Sequence, residues 1–126
     1  MKNRLNFGWI GLLSAVAFTL QAADWPLFRG DRGLTGAAAG KLPEKLSLLW
    51  KFDAKGPVKA SAVIANGMAY VGGDDDGKKG LKGKLYAIDL ATGKQAWDFT
   101  CNDPIEASAM VLDGRVYTGS VDGFVY

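Results

Sequence analysis

The sequence contains no histidine and a single cysteine, Cys101, among its 126 residues. Without histidine these residues cannot form a Ser-His-Asp triad, an imidazole general base or a histidine-ligated zinc site. One cysteine cannot close a disulfide within the chain. It reads as a buried or tolerated thiol, with a reactive one as the alternative. Apolar runs are also scarce. Phe7 to Leu20 spans 14 residues, short of the roughly 20 that a membrane-spanning helix needs.

That run has Lys2 and Arg4 before it and Gln21-Ala22-Ala23 after it, the order of a secretory signal peptide over residues 1–23. An uncleaved membrane anchor is the competing reading. No cysteine follows the run, so a lipid anchor of the usual bacterial kind has no support. Processing removes two of the 15 basic residues and none of the 13 acidic ones. The exported chain is then formally neutral, without the field that attracts nucleic acid or anionic lipid. A periplasmic or secreted location is expected, with no transmembrane span once the leader is gone.

What is present is a repeat. Shifted by 47, Trp50 falls on Trp97, Phe52 on Phe99 and Pro57 on Pro104. Ala60-Ser61-Ala62 falls on Ala107-Ser108-Ala109, Gly67 on Gly114, Tyr70 on Tyr117, Gly72 on Gly119 and Asp75 on Asp122. These are 10 identities in the 26 positions from Trp50 to Asp75. After a skip of seven residues, Gly83 to Tyr86 aligns with Gly123 to Tyr126. A period in the forties built from short strands is the mark of a propeller blade.

Each copy holds two apolar, β-rich runs joined by Asn66-Gly67 or Asp113-Gly114, strong two-residue hairpin signals. Lys84 to Leu90 and Gln95 to Phe99 read as a third and a fourth strand. The expectation is an all-β propeller of four-stranded antiparallel blades, of which about one and a half are present. Residues 24–47 form an N-terminal extended segment and residues 48–52 a closing strand. A complete blade occupies residues 58–99 and an incomplete one residues 105–126. Because propellers hold about four to eight blades, the chain reads as the N-terminal piece of a longer protein. A natural two-blade protein, with exposed strand edges, is the alternative.

The stretch "AIDLATGKQAW", Ala87 to Trp97, accounts for the link between blades. Asp89 can accept bonds from the N–H groups of the turn, and Gly93 supplies the positive φ that such a turn demands. Trp97 lays a large ring over the adjoining backbone, and Ala87 leaves room for close approach. Ala87, Asp89, Thr92, Gly93 and Trp97 thus form a structural docking motif. Their spacing, A-x-D-x-x-T-G-x-x-x-W, resembles the tryptophan-docking motif of the quinoprotein-like, PQQ-binding-like repeat propellers. The two "ASA" strands and "WPLFRGD" at Trp25 to Asp31 extend the resemblance over the whole exported part.

The resemblance implies the fold and leaves function open. The family includes PQQ-dependent dehydrogenases and propellers that bind no quinone, among them a periplasmic scaffold of outer-membrane protein assembly. A dehydrogenase implies PQQ, calcium, an active-site carboxylate and a vicinal disulfide. No Cys-Cys pair occurs here, and no residue of this chain matches a quinone-contact motif. The expectation is therefore a non-catalytic binding or scaffolding module of the cell envelope with protein partners and no cofactor in these residues. The alternative is the N-terminal part of a dehydrogenase oxidising alcohols or sugars, with PQQ and calcium in the full-length parent. A carbohydrate-binding propeller is a third reading, although none of Trp9, Trp25, Trp50 and Trp97 stands out as a sugar platform.

Among charged residues, Lys59 and Glu106 hold equivalent places near the start of the innermost strand, which faces the channel of a propeller. They read as part of a ligand or partner site at the funnel mouth, or as a simple ion pair between neighbouring strands. Asp74, Asp75 and Asp76 do not have the alternating spacing of an EF-hand loop. With the lysines around them they read as solvated charges of a surface hairpin loop that could carry recognition. Trp25 and Phe28 are expected to pack across the ring, with Arg29 satisfying carbonyls.

Overall fold

A computed structural model describes residues 23–38, 40–75 and 82–126. Residues 1–22 of the expected leader and residues 76–81 of the acidic insert lie outside the described residues. Six strands run in order: β1 (Val63–Ala65), β2 (Met68–Asp74), β3 (Gly83–Asp89), β4 (Gln95–Cys101), β5 (Met110–Leu112) and β6 (Arg115–Tyr117). The first four make one antiparallel sheet in the order β1-β2-β3-β4, and β5 pairs with β6. This is one four-stranded propeller blade followed by the opening hairpin of the next. No helix among the described residues is long and apolar enough to cross a membrane.

The hairpins follow from their turn residues. Asn66 and Gly67 take φ of 53° and 74°, and Asp113 and Gly114 take 48° and 73°. Two consecutive positive φ values are what a type I′ turn requires, and its twist matches that of the strands it joins. The register then places Val63 opposite Tyr70 and Met110 opposite Tyr117, the same pairing one repeat later. Beyond β6 the chain turns back, and Thr118 and Tyr126 exchange both backbone bonds, at 3.0 and 2.8 Å.

The sheet is apolar on both faces because something packs against each. On one face Val63, Ala65, Tyr70, Leu85, Ala87 and Cys101 meet Ile105 and Ala109 of the second repeat. Ile105 and Val63 are wholly buried, each worth about 1.5–3 kcal/mol of apolar transfer. On the other face Ala69, Tyr86 and Ile88 are covered by Trp50, Phe52 and Ala54. Phe52 meets Tyr86 edge to face, with centroids 5.2 Å apart. One repeat later Phe99 meets Tyr126 at 5.0 Å.

Leu48 to Phe52 joins no strand ladder among the described residues. Trp50, Phe52 and Ala54 lie against the flat of the blade, over Ala69, Tyr86 and Ile88. The N-terminal segment, read as extended, is so only at its start. It folds back through Gly30 N–H to Leu27 O, Leu34 N–H to Asp31 O and Gly36 N–H to Arg29 O. The Asp31 carboxylate accepts bonds from the Thr35 hydroxyl and amide, which holds this loop closed.

Candidate functional site

Lys59 and Glu106 come together as the repeat spacing implies. Both lie in irregular backbone just before the inner strands β1 and β5. Lys59 Nζ stands 2.6 Å from Glu106 Oε1, with both side chains about half exposed. Two residues on, Ser61 N–H donates to Ser108 Oγ at 3.2 Å. Two matched residue pairs, each 47 apart, therefore tie the inner segments of successive repeats along one rim.

A third group belongs to this rim, and the sequence reading assigned it elsewhere. Asp74 was expected among solvated loop charges, but it ends β2 and is 2% exposed. It is held there by its amide, which donates to Pro57 O at 2.9 Å, and by its ladder partner Gly83. Its Oδ2 lies 4.0 Å from Lys59 Nζ, while Oδ1 has no hydrogen-bond partner among the described residues. The repeat comparison could not single it out, because the equivalent residue is Val121.

The Lys59 ammonium thus sits against one half-exposed carboxylate and near one buried carboxylate. Its pKa is raised, first by the hydrogen bond to Glu106, then by the charges of Glu106 and Asp74. A lysine held more firmly protonated is neither a nucleophile nor a general base at neutral pH. The cluster sets both signs of charge side by side at one place on the surface. Its centre is an ammonium, so a metal ion has no place between the two carboxylates. Among the described residues no three Cys, Asp or Glu side chains gather as metal ligands. Asp76 is outside the described residues.

The residues of "AIDLATGKQAW" build a closed turn. The Thr92 amide and hydroxyl donate to Asp89 Oδ1 at 2.8 and 2.7 Å. Gly93 N–H donates to Asp89 O, and Asp89 N–H to Lys94 O, both at 2.8 Å. Hydrogen bonds from Thr92 hold the Asp89 carboxyl below its ordinary range. Gly93 has φ of 68° and lies under the ring of Trp50, where an added Cβ would come within 2.5 Å of Cγ. Trp50 Nε1–H donates to Leu90 O at 2.8 Å.

The tryptophan seated on this turn is therefore the one 47 residues earlier. Trp97 packs on Tyr70, centroids 5.7 Å apart, and is 41% exposed. Ala87 is fully buried. Trp50 had been matched to Trp97 in the repeat, and that match was the signal for its role. Of the N-terminal residues, the Trp25 ring lies against Gly30, Phe28 is 52% exposed and Arg29 donates to Thr35 O at 3.5 Å. Arg29 thus satisfies one carbonyl of its own loop.

Against known proteins, the family model described as outer membrane protein assembly factor BamB matches residues 43–126. No individual curated protein matches the chain. The matched residues contain the whole four-stranded blade, the second hairpin, both rim residues and the Trp50-capped turn. The chain belongs to the BamB-like family of PQQ-repeat β-propellers.

Proposed function

We propose that this chain is part of an exported, non-catalytic binding module of the cell envelope. The Lys59–Glu106 rim, with Asp74 beneath it, is its partner-facing site, and the partner is a protein. The observation that carries this reading is the half-exposed 2.6 Å ion pair between successive inner segments, backed by a buried carboxylate. An exposed ion pair adds little to stability, whereas a preorganised pair of opposite charges orients a partner and speeds its approach. The family's model is described as an assembly factor, which agrees with a binding role.

This reading assigns neither PQQ nor calcium to the described residues. The sole cysteine is buried with its thiol directed at the carbonyl oxygens of Asp103 and Gly83. Between Asp74 and Glu106 the Lys59 ammonium stands where a cation would sit. The test is direct. Purified chain is titrated with PQQ and calcium while tryptophan emission is followed, then assayed with alcohols or sugars and an artificial electron acceptor. The reading expects unchanged emission and no acceptor reduction. Saturable quenching with turnover would replace it by the dehydrogenase reading.

A further inference from the structure

The two inner segments are joined by a third tie, which comes from a different part of the chain. Trp25 pairs antiparallel with Ile64. Trp25 N–H donates to Ile64 O at 2.6 Å, and Ile64 N–H to Trp25 O at 2.8 Å. The next residue, Pro26, accepts from Val111 N–H at 2.7 Å. Ile64 and Val111 are themselves 47 apart, the same position in two successive repeats. Two adjacent residues of one strap thus bond to equivalent places in two blades.

The groups they meet belong to the free edges of β1 and β5, on the side away from β2 and β6. Unpaired edge groups of this kind are a template for strand addition by another chain. The strap is suited to closing them. Proline lacks an N–H, and at position 26 only the carbonyl is used. Asp24 Oδ1 accepts from Asn66 N–H at 3.1 Å, tying the strap to the β1–β2 turn as well. The Trp25 ring resting on Gly30 anchors the strap to its own loop.

We propose that Asp24–Pro26 is a clasp that locks the two repeats together as one cooperative unit and closes their inner edges to a second copy of the chain. Because the clasp spans both blades, its opening releases Ile64 and Val111 at the same moment, although they lie in different hairpins.

Residue-resolved amide exchange on the full chain tests this. Corrected for intrinsic rates, Ile64 and Val111 should exchange with equal protection, below that of Leu85 and Ala87 in β3. Trp25→Pro, which removes the donor to Ile64 O, should accelerate both amides by the same factor, about tenfold or more. It should leave β3 protected and raise the mass seen by light scattering. Trp25→Phe keeps the N–H and should behave as the parent. Protection at Ile64 and Val111 differing by more than about tenfold in the parent chain, or Trp25→Pro releasing Ile64 alone, overturns the cooperative clasp. A variant that opens both amides yet stays monomeric overturns the edge-closing role. If Trp25→Pro also exposes β3, the comparison within the parent chain decides.

Discussion

The indole N–H of Trp50 donates to the carbonyl oxygen of Leu90, 40 positions along the chain, at 2.8 Å. This bond seats the ring on Gly93 and fastens the segment before the blade to the turn between its third and fourth strands. Trp50→Phe keeps a ring but loses the donor, and should cost about 1 kcal/mol. Trp50→Ala removes the ring as well and should cost about 3 kcal/mol. Gly93→Ala places a methyl against Trp50 and strains a positive φ, for about 2 kcal/mol or more. Urea denaturation of the three variants checks the order.

The Asp89–Thr92 pair sets a second prediction. The folded-state pKa of Asp89 lies below its ordinary 3.8, chiefly through the Thr92 hydroxyl and then the Thr92 amide. A depressed carboxyl stabilises the fold above its unfolded pKa, and that contribution is lost as pH falls through the folded value. Thr92→Val removes the hydroxyl donor and should move the Asp89 carboxyl up toward the ordinary range. Carbon-detected NMR titration reads this directly. An unchanged Asp89 titration would show that the hydroxyl bond contributes nothing.

Ile105 links the blades through their cores. It is fully buried, and a Cβ added at Gly72 would collide with its side chain. Ile105→Val should cost about 1 kcal/mol and Ile105→Ala about 3 kcal/mol. Gly72→Ala should be comparably damaging, since the wholly buried isoleucine has no space to retreat into. Thermal melts of the three variants should rank them in this way.

Cys101 is buried, with its thiol facing Asp103 O at 3.2 Å and Gly83 O at 3.7 Å. It should resist an aromatic disulfide reagent in the native chain and react fully in denaturant. Rapid labelling without denaturant would contradict the packing of Gly83 and β4 against the second repeat.

Much of this architecture was legible from the repeat. The shift of 47 located both hairpins, matched Trp50 to Trp97 and brought Lys59 to Glu106, because equivalent positions in stacked blades become neighbours. Asp74 was not legible. It stands beside two more aspartates, and local composition cannot tell the last residue of a strand from the first residue of a loop. The route of Leu48 to Phe52 was hidden for another reason. Its pattern marks a strand, whereas its packing over Tyr86 is set by contacts across the sheet that the local pattern does not show. The clasp was hidden because Trp25 and Pro26 bind through backbone groups, which carry no side-chain signature.

Docking of a protein partner on the rim that carries Lys59 and Glu106 is the part of the proposed function most open to test. The most direct test is site-specific photo-cross-linking in cells from position 61, an exposed residue that joins the rim through its backbone N–H alone, compared with position 94 on the outer turn. The account predicts a discrete protein adduct from position 61, none from position 94, and loss of the adduct when Lys59→Ala and Glu106→Ala are combined. The double variant should fold, since an exposed pair contributes little to stability. No adduct at position 61, or one that persists without both charges, would contradict the assignment of the rim as the binding site.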